Sequence, residues 1–371
     1  MSSYCRHTPL QRHTPAPHGP KLRAVTPPGI VSAVPTVAID ARDAFAPQLR
    51  GWGRYAKELI AALPEHPGLD YRFVSHGGPG PELLFEQIGL PVRLRQMGAD
   101  LVHTPNCFLP LARPCMGVVT IHDLAFEEFP DDFTRRTGWK YRTFTPRAAR
   151  SAQRVICVSG FTANDVVRRY DVDEARVRIV PNAPSLPIGD APLPYAGEDP
   201  YLLAVGDLRP KKNLLRLVEA FRLLRGEGLA HRLVLAGVDA GQGERVRELA
   251  GGHPVQLTGY LPDAQMDALM RGADALVHPS LYEGFGLVLV EAMVRGVPVL
   301  AARATALPET GGDACEYFDP LDAGDIAAAI RRVVDDRGRR DELVRRGIAR
   351  AGALSWHNSA ALTVAVYEEM L

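Results

Sequence analysis

Short apolar runs alternate with longer amphipathic stretches along most of the chain. Residues 36–40 and 117–122 are rich in apolar and β-branched side chains, which is typical of strands buried on both faces. Residues 162–170 and 214–224 carry apolar side chains three or four positions apart, which predicts helices that bury one face. Alternating strands and helices predict the α/β class, with parallel, doubly wound sheets covered by helices on both sides.

The same pattern predicts a set of elements in each half of the chain. The predicted strands are residues 36–40, 71–74, 100–103, 117–122, 154–159 and 177–182, and then 201–205, 231–236, 255–258, 275–278 and 297–301. The predicted helices are residues 55–63, 133–154, 162–170, 214–224, 287–294, 326–334, 339–351 and 360–371.

Two such halves suit a length of 371 residues, since an ordinary domain has about 150 residues. Pro and Gly are concentrated in residues 183–200, which predicts a linker between the halves. Residues 1–34 contain many Pro, His, Ser and Thr and show no apolar periodicity, so we expect a disordered tail. The predicted organisation is a tail (1–34), a first domain (35–195), a second domain (196–355) and a C-terminal helix (356–371).

Composition narrows the class of protein. Lys and Arg number 43, as do Asp and Glu, so no net positive field favours nucleic acid as a partner. The five cysteines form no C-x-x-C pair, which indicates reduced thiols and neither a disulfide framework nor a zinc site. No apolar run reaches about 18 residues, and no signal-peptide pattern opens the sequence. We therefore expect a cytoplasmic protein.

The stretch 275–294 carries the strongest indication of chemistry. An apolar strand passes through a loop containing Gly284 and Gly286 into an apolar helix, an arrangement that favours anion binding at the helix N-terminus. Glu283 lies in the loop. Glu291 is a charge inside the apolar helix and needs a partner, for which the two hydroxyl groups of a ribose are suited. From this stretch alone, a capping glutamate and a solvated glutamate remain an alternative.

A second glycine motif, Gly51-Trp-Gly-Arg-Tyr-Ala56, matches the pattern G-x-G-x-x-A of dinucleotide-binding folds. The match is weak, because the glycines lie well beyond the preceding strand and no acidic residue ends the second strand. A loop that approaches a phosphate or an acceptor, and a turn that simply requires glycine, both remain open.

Several charged or titratable residues lie at predicted strand ends. His122 ends the strand 117–122, where α/β proteins bind ligands, although a structural histidine is an alternative. Arg209, Lys211 and Lys212 lie between a strand and a helix and suit a pyrophosphate. The basic helix 133–154 is either a solvated face or a surface attracted to an anionic membrane or acceptor.

A series of short motifs then points to a family. In chain order they are Ile39-Asp-Ala-Arg42, Gly51-x-Gly-Arg-Tyr55, Val119-Thr-Ile-His-Asp-Leu124, Val180-Pro-Asn182, Lys211-Lys-Asn213, Pro279-x-x-Tyr-Glu-Gly-Phe-Gly286 with Glu291-Ala-Met293, and Leu307-Pro-Glu309. From residue 36 onward the chain resembles the retaining glycosyltransferases of family 4, and Glu283 with Glu291 matches their E-x7-E signature. The resemblance implies the GT-B fold, in which two Rossmann-like domains face each other and the C-terminal helix crosses back to the N-terminal domain.

The resemblance also implies roles for individual residues. His122 and Glu283 would be catalytic, with Glu291 on the ribose and Arg209 and Lys212 on the pyrophosphate of a nucleotide-sugar. The full set implied for donor binding is Arg209, Lys212, Gly259, Tyr260, Leu261, Phe285, Gly286, Leu287 and Glu291. The set implied for the acceptor side is Gly51, Gly53, Arg54, Tyr55 and Asn106.

The implied partners are a nucleotide-diphospho-sugar donor and a glycan, lipid-linked or small-molecule acceptor, with no metal or other cofactor. The Ile39-Asp-Ala-Arg42 and Ile121-His-Asp-Leu124 motifs are similar to a branch described as mannosyltransferases, which favours GDP-mannose. Asp207 departs from the arginine of many relatives and puts one phosphate contact in doubt. The basic helix would allow peripheral association with the inner face of the membrane.

Other functions remain as alternatives at this point. A nucleotide-sugar epimerase, a glycan phosphorylase or a catalytically silent binding protein could use the same architecture. A nicotinamide-dependent oxidoreductase would depend only on the Gly51 motif, whose spacing is unsuitable.

Overall fold

The computed structural model describes residues 34–46, 49, 51–77, 81–192 and 200–371. The predicted tail therefore lies outside the described residues except for Val34, and so does the middle of the predicted linker, residues 193–199.

Two parallel sheets organise the described chain. The first sheet contains β1 (Thr36–Asp40), β2 (Asp70–Val74), β3 (Leu101–Thr104), β4 (Met116–Ile121), β5 (Arg154–Cys157) and β6 (Val177–Ile179), in the order β2-β1-β3-β4-β5-β6. The second contains β7 (Tyr201–Val205), β8 (Arg232–Ala236), β9 (Val255–Gly259), β10 (Ala275–His278), β11 (Val299–Ala302) and β12 (Cys315–Phe318), in the order β12-β11-β10-β7-β8-β9. Neighbouring strands are parallel throughout both sheets.

Helices connect the strands of each sheet. Those of the first half are α1 (Gly51–Ala62), α2 (Glu82–Leu84), α3 (Leu90–Met97), α4 (Ala125–Glu128), α5 (Arg135–Ser151) and α6 (Gly160–Tyr170). Those of the second half are α7 (Leu214–Gly226), α8 (Gly243–Ala250), α9 (Asp263–Arg271), α10 (Leu287–Met293), α11 (Leu307–Gly311), α12 (Ala323–Val334) and α13 (Arg337–Gly352), followed by α14 (Trp356–Glu368). We call the first sheet with α1–α6 the first lobe, and the second sheet with α7–α13 the second lobe.

The central strands are buried because helices cover the sheets. Val37, Ala38 and Ile39 of β1 are fully buried, as are Leu276 and Val277 of β10. A parallel strand covered on both faces has no side that faces water, so its sequence is continuously apolar. The predicted doubly wound α/β architecture is confirmed.

Several elements differ from the sequence-based expectation. The helices α4, α8, α9 and α11 were not predicted. Two further regions were also missed, for reasons that the structure shows. The strand β12 was missed, because it is short and contains Glu316, whose carboxylate accepts from Arg332 and Arg339. The helical stretch 82–97 was missed because Gly89 and Pro91 disfavour a helix interior. The structure accommodates them by a π-helical segment, Phe85–Gly89, which joins α2 to α3 and places Pro91 in the first turn of α3.

The last helix, α14, packs on the first lobe after the second lobe is complete. Tyr367 is fully buried, and its hydroxyl lies 2.6 Å from Nδ1 of His103 on β3. Trp356 donates from Nε1 to the carbonyl oxygen of Pro184 at 3.0 Å. The predicted return of the C-terminal helix to the first half of the molecule is thereby confirmed.

Candidate active site

The two lobes meet at the carboxyl ends of their strands. His122 follows β4 of the first lobe, and the loop containing Gly284 follows β10 of the second. Ser159 donates from Oγ to the carbonyl oxygen of Gly284 at 2.6 Å, and Thr162 does so at 3.2 Å. A Cβ at Gly284 would overlap the carbonyl oxygen of His122. Glycine is thus required here because two backbones from different lobes approach each other closely.

Two adjoining cavities lie along this contact. The central cavity has a volume of about 390 Å³ and is lined by His122 from the first lobe and by Lys212 and Glu283 from the second. The adjoining cavity, of about 350 Å³, extends along the second lobe past Tyr260 to Glu291. Residues common to both cavities are Gly51, Gly206, Asp207, Lys212, Val238, Tyr260, Glu283, Gly286 and Leu287. The structure therefore brings most of the sequence-predicted site residues into one continuous space.

Glu283 is the centre of a compact charged cluster. Its Oε1 lies 2.5 Å from Nζ of Lys212 and 3.1 Å from Nε2 of His278. Burial opposes ionisation of Glu283, but Lys212 and His278 outweigh it and hold the pKa of this carboxyl well below 4.5. Burial lowers the pKa of His278, so its neutral ring donates a hydrogen bond from Nε2 to the carboxylate. The cluster fixes an ionised Glu283 at the cavity wall.

Further cations surround this cluster. Arg209 lines the central cavity and donates from Nη2 to Asp207 Oδ2 at 2.9 Å. Asp207, which departs from the family pattern, therefore restrains the side chain of Arg209. Lys211 also lines the cavity, 3.6 Å from Asp123 of the first lobe. Burial acts against its charge, yet the carboxylates of Asp123 and Glu283 raise the pKa of Lys211. The wall of the second lobe is therefore cationic where the strands of its sheet end.

The loop into α10 contributes backbone to the same space. Phe285, Gly286 and Leu287 all line the central cavity. Gly286 precedes α10 with a φ of 90°, in the left-handed region that favours glycine. The helix begins directly after this residue, so its first N–H groups lie beside the cavity without intrahelical partners.

Glu291 finds its partners within the protein. Its Oε1 accepts from the N–H groups of Ser185 and Leu186, at 2.6 and 2.8 Å, and from the Ser185 hydroxyl. Among the described residues, its Oε2 accepts only from Arg295, at 3.0 Å. Glu291 still lines the adjoining cavity, and a carboxylate oxygen can accept two hydrogen bonds. One acceptor position, on Oε2, therefore remains for a ligand.

The adjoining cavity ends at the loop after β9. It is lined by Gly259, Tyr260 and Leu261, for which the family resemblance implies a place on the donor side. Gly259 has a φ of 70°, and Tyr260 is exposed. Opposite this loop, Arg54 of α1 forms a bidentate ion pair with Asp263 of α9, with Nη1 and Oδ2 3.1 Å apart. This pair closes the cavity from the side of the first lobe.

His122 is held in one orientation. Its Nε2 donates to the carbonyl oxygen of Pro105 at 2.8 Å, and the ring of Tyr55 packs edge-on against it with centroids 4.8 Å apart. Burial lowers the pKa of His122, so the ring is neutral and Nδ1 is an acceptor. The sequence predicted that His122 faces the cleft, and the structure brings it to the central cavity opposite Glu283.

Tyr55 and Gly53 differ from their implied role on the acceptor side. Tyr55 is 2% exposed, and its hydroxyl lies 3.3 Å from Oγ1 of Thr120, so the ring supports His122 and lines neither cavity. A Cβ at Gly53 would lie against the carbonyl oxygen of Asp43, which shows that this glycine allows close packing of α1. Gly51 and Arg54 do line the cleft. The pattern G-x-G-R-Y thus combines cleft residues with packing residues.

Asn106 belongs to a third cavity, of about 440 Å³, within the first lobe. Its Nδ2 donates to Asp43 Oδ2 at 3.1 Å. Two tryptophans, Trp52 and Trp139, are part of the lining, and Trp52 also lines the central cavity. Trp52 therefore borders both the third cavity and the central one.

Sequence reasoning missed several cleft residues. Asn182 lay in a quoted motif, Val180-Pro-Asn182, but received no role, and His278 lay at the end of the strand that opens the main motif. Trp52 lay in the Gly51-Trp-Gly motif and likewise received no role. Asp263 had no sequence signal, because its ion pair with Arg54 of α1 forms only in the folded protein. Within the described residues, no cluster of three or more His, Cys, Asp or Glu side chains is arranged to hold a metal ion.

Two Rossmann-like lobes, a cleft with cations at the strand ends and a C-terminal helix that crosses back define an enzyme of the GT-B fold. Comparison with known proteins agrees. Residues 190–350 match the family model described as glycosyl transferases group 1, and residues 84–184 match that of glycosyltransferase family 4.

Individual relatives extend the comparison. The O-antigen chain mannosyltransferase B of Escherichia coli is 30% identical over 292 residues, covering 74% of this chain and 76% of that protein. The MMP alpha-(1->4)-mannosyltransferase of Mycolicibacterium hassiacum is 28% identical over 331 residues, covering 80% and 76%. The structure of a sucrose-phosphate synthase from Thermosynechococcus elongatus superposes with a TM-score of 0.69 at 21% identity, covering 91% of this chain and 99% of that one.

The chain belongs to the group 1, family 4 glycosyltransferases. The expected family, GT-B fold and class of activity are confirmed: the protein is a glycosyltransferase that transfers a hexose from a nucleotide-activated donor. Among the described residues, no helix combines the length and the apolar character needed to cross a bilayer.

Proposed function

We propose that this enzyme transfers a mannosyl residue from GDP-mannose to a hydroxyl group of a glycan acceptor, with retention of anomeric configuration. The observation that carries the proposal is the pairing, across one cavity, of the Lys212–Glu283–His278 cluster with the neutral ring of His122. A charged wall suits the diphosphate and hexose of the donor, and a neutral wall suits the reacting centre.

The cations act on the leaving group. When the bond between the sugar and the diphosphate breaks, negative charge increases on the departing phosphate. Arg209 and Lys212 line the cavity and are already held by Asp207 and Glu283, so little reorganisation is needed when this charge develops. Fixed charges that bind the transition state more strongly than the ground state accelerate the step.

Glu283 and His122 would act on the transferred hexose. Ionised Glu283 retains acceptor positions for sugar hydroxyls on Oε2, since its contacts with Lys212 and His278 are made by Oε1. His122 offers Nδ1 as an acceptor from the other lobe. In the front-side mechanism that the family resemblance implies, the departing phosphate takes the proton of the attacking acceptor hydroxyl.

The nucleoside would occupy the adjoining cavity. A hydroxyl group of its ribose would donate a hydrogen bond to the remaining acceptor position of Glu291, on Oε2. Its base would lie beside Gly259, Tyr260 and Leu261, at the far end of that cavity. The donor would then extend from this loop to Lys212 and place its sugar in the central cavity.

The third cavity suits the acceptor. It shares Trp52 with the central cavity, and its aromatic residues together with the carboxylate of Asp43 and the amide of Asn106 match the apolar faces and hydroxyls of a sugar ring. Asn106 is thus still proposed to contact the acceptor substrate, whereas Tyr55 packs against His122 and fixes its orientation.

Mannose is favoured over other hexoses by the names of the relatives. The two sequence relatives described above, from Escherichia coli and Mycolicibacterium hassiacum, are both mannosyltransferases by name. This agrees with the branch that the Ile-Asp-Ala-Arg and Ile-His-Asp-Leu motifs resemble.

A ligand screen followed by turnover tests the proposal. Melting temperature would be measured with GDP, UDP, ADP and dTDP, since a ligand that binds the native state raises it by mass action. We expect the largest rise with GDP. Turnover of GDP-mannose with and without a mannoside acceptor would then be followed by proton NMR of the anomeric signals. Acceptor-dependent release of GDP with an α-linked product supports the proposal; conversion of the donor without acceptor would indicate an epimerase.

We further propose that transfer requires no metal ion. The positive charge needed at the diphosphate is supplied by Arg209, Lys211 and Lys212. Transfer is expected to be unchanged after dialysis against EDTA. A loss of activity restored by magnesium or manganese would overturn this part of the proposal.

Peripheral binding to an anionic membrane is a final part of the proposal. Leu84, Ile88 and Val92 are exposed at intervals of four residues along the helical stretch 82–97, and exposed Trp139 shares the third cavity with Leu84. Exposed basic residues adjoin this face, namely Arg95, Arg135 and Arg136. Apolar and basic groups on one face suit the interface of an anionic bilayer.

Vesicle sedimentation tests this surface. Binding is expected to vesicles that contain phosphatidylglycerol and to be much weaker to phosphatidylcholine alone. Ile88→Glu should reduce binding, whereas Ile348→Glu, at an equally exposed apolar residue of the second lobe, should not. Equal binding of both variants would contradict the assignment.

A further inference from the structure

Asn182 occupies the cleft without the partners that a buried amide normally has. It follows β6 of the first lobe and lines the central cavity together with His122 and Glu283. It is 8% exposed, and its Oδ1 is buried with no hydrogen-bond partner among the described residues. A buried acceptor left unpaired destabilises the folded state by about 1–3 kcal/mol. Such an arrangement calls for an explanation in terms of what enters the cavity.

The backbone around Asn182 is held firmly on both sides. Ser359 of α14 donates to the carbonyl oxygen of Pro181 at 2.7 Å. On the other side, the carbonyl oxygen of Pro184 accepts a hydrogen bond from Trp356. The N–H of the next residue, Ser185, donates to Glu291. The side chain therefore projects from a segment fixed by α14 and α10, as expected of a group preorganised for a ligand.

We propose that Asn182 is a substrate-binding residue that accepts a hydrogen bond from a hydroxyl group of a sugar in the central cavity. The unpaired atom is an acceptor, and a phosphate has no proton to donate to it near neutral pH. A sugar hydroxyl does, and it can in turn accept from the Nδ2 of the same amide. The chemistry thus favours the hexose portion of a substrate over its diphosphate.

This inference rests on the transfer reaction proposed above, and two sugars could supply the hydroxyl. The hexose of the donor lies in this cavity in the proposed arrangement, and the attacking hydroxyl of the acceptor must also reach it. The two sources are distinguished by measuring the binding of GDP-mannose and of GDP, which lacks the hexose, to the same variant.

The experiment compares Asn182→Ala with wild type by calorimetry, steady-state kinetics and thermal unfolding. If the donor hexose is the source, GDP-mannose binds about tenfold more weakly and GDP binds as before, the loss expected for one hydrogen bond. If the acceptor is the source, both bind normally and kcat/KM for the acceptor falls by about tenfold. Either result supports the proposal and names the sugar.

Thermal stability separates this role from a structural one. Because no hydrogen bond of Asn182 is lost, the melting temperature of Asn182→Ala should equal that of wild type or exceed it. Asn106→Ala is the matched control: Asn106 is also 8% exposed, but its amide bonds to Asp43 and Phe108, so its loss should lower the melting temperature. Asn182→Leu, which fills the same space without polar atoms, is a second variant should the alanine protein fold poorly.

Unchanged binding and unchanged kcat/KM in both Asn182 variants would overturn the inference. A fall in melting temperature with GDP and GDP-mannose weakened equally would do so too, since it would indicate a structural role. Absence of any transfer by the wild-type enzyme would instead contradict the proposed reaction, so the two failures can be told apart.

Discussion

The two walls of the cleft differ in the charge of the side chains that line them. The wall of the second lobe is built from ion pairs, in which Lys212 binds Glu283 and Arg209 binds Asp207. The facing wall of the first lobe presents a neutral His122 and the amide of Asn182, and Asp123 reaches from it to Lys211. Charge is thus concentrated where a diphosphate would depart, and neutral hydrogen-bonding groups lie where a sugar would react. In this cleft the ion-paired groups and the neutral hydrogen-bonding groups therefore lie mainly on different lobes.

Transfer activity should depend more strongly on single side chains of the charged wall than on those of the neutral wall. Lys212→Ala removes a cation from the leaving group and from Glu283, and we expect kcat to fall by about 10³-fold. Initial rates at saturating donor would measure this. Lys57→Ala, at an exposed lysine of α1, is the control and should behave as wild type. A decrease of less than tenfold for Lys212→Ala would contradict the leaving-group role.

The contact between the walls should be next in sensitivity. In Gly284→Ala the new methyl group overlaps the carbonyl oxygen of His122, so the lobes must separate and the two walls lose register. A displacement of this order reduces transfer by about 10²-fold. The control is Gly226→Ala at the end of α7, where an added methyl group meets open space. Equal activity of the two variants would show that the walls need not be held so closely.

A fully buried histidine of the first lobe, His103, should make the stability of the protein depend on pH. Burial, and then repulsion from His122 when that ring is itself protonated, lowers the pKa of His103 from 6.5 to about 3. Because the folded-state pKa lies below the unfolded value, the stabilisation is complete above pH 6.5 and is lost as the pH falls toward 3. The free energy of unfolding should decrease by about 1.4 kcal/mol, a factor of ten in the equilibrium, per pH unit in this window.

Urea unfolding across that window would measure the slope. His103→Gln keeps a polar side chain between Tyr367 and Thr120 but does not titrate. The free energy of unfolding of this variant should therefore change with pH by about 1.4 kcal/mol less per pH unit, the contribution of one proton. Identical slopes for the variant and wild type would show that His103 is not held neutral by the first lobe.

The smallest effect should come from Glu291→Gln. Glutamine keeps an acceptor for Ser185 and Leu186, but it places an amide beside Arg295 or the ribose. We expect GDP to bind about fivefold more weakly, the loss of one ordinary hydrogen bond. Calorimetry would measure Kd, and the melting temperature would show whether the protein contacts survive. Glu291→Ala should weaken binding as well, but it also removes the acceptor of two buried N–H groups. An unchanged Kd in the glutamine variant would remove Glu291 from the ribose site.

Much of the fold could be predicted because its signal is local. Apolar strands such as β1 and β10 are continuous runs, and the amphipathic helix α7 repeats at helical spacing. The strand β12 and the helical stretch 82–97 could not be predicted, since Glu316 requires Arg332 and Arg339 as partners, and Pro91 requires a preceding π-helical turn. A tertiary ion pair overrides local preference at β12, whereas a local π-helical segment accommodates Gly89 and Pro91.

The candidate site divides in the same way. The residue types at strand ends, such as His122 and Glu283, follow from the chain alone, because parallel strands direct their carboxyl ends to one edge. The pairings do not follow. Glu291 bonds to Ser185, which is 106 residues away, and Gly284 proved to be limited by contact with His122 of the other lobe. Such partners become known only when the lobes are folded and facing.

The path of the last helix has a consequence for how the protein is made. During translation α14 leaves the ribosome after the entire second lobe, yet Tyr367 belongs to the interior of the first. Newly made domains usually fold as units in the order in which they emerge. Here the first lobe lacks the hydroxyl that pairs with His103 until the codons for α14 have been translated. A stalled nascent chain that ends before Trp356 should therefore expose its first lobe to proteases, however long the delay.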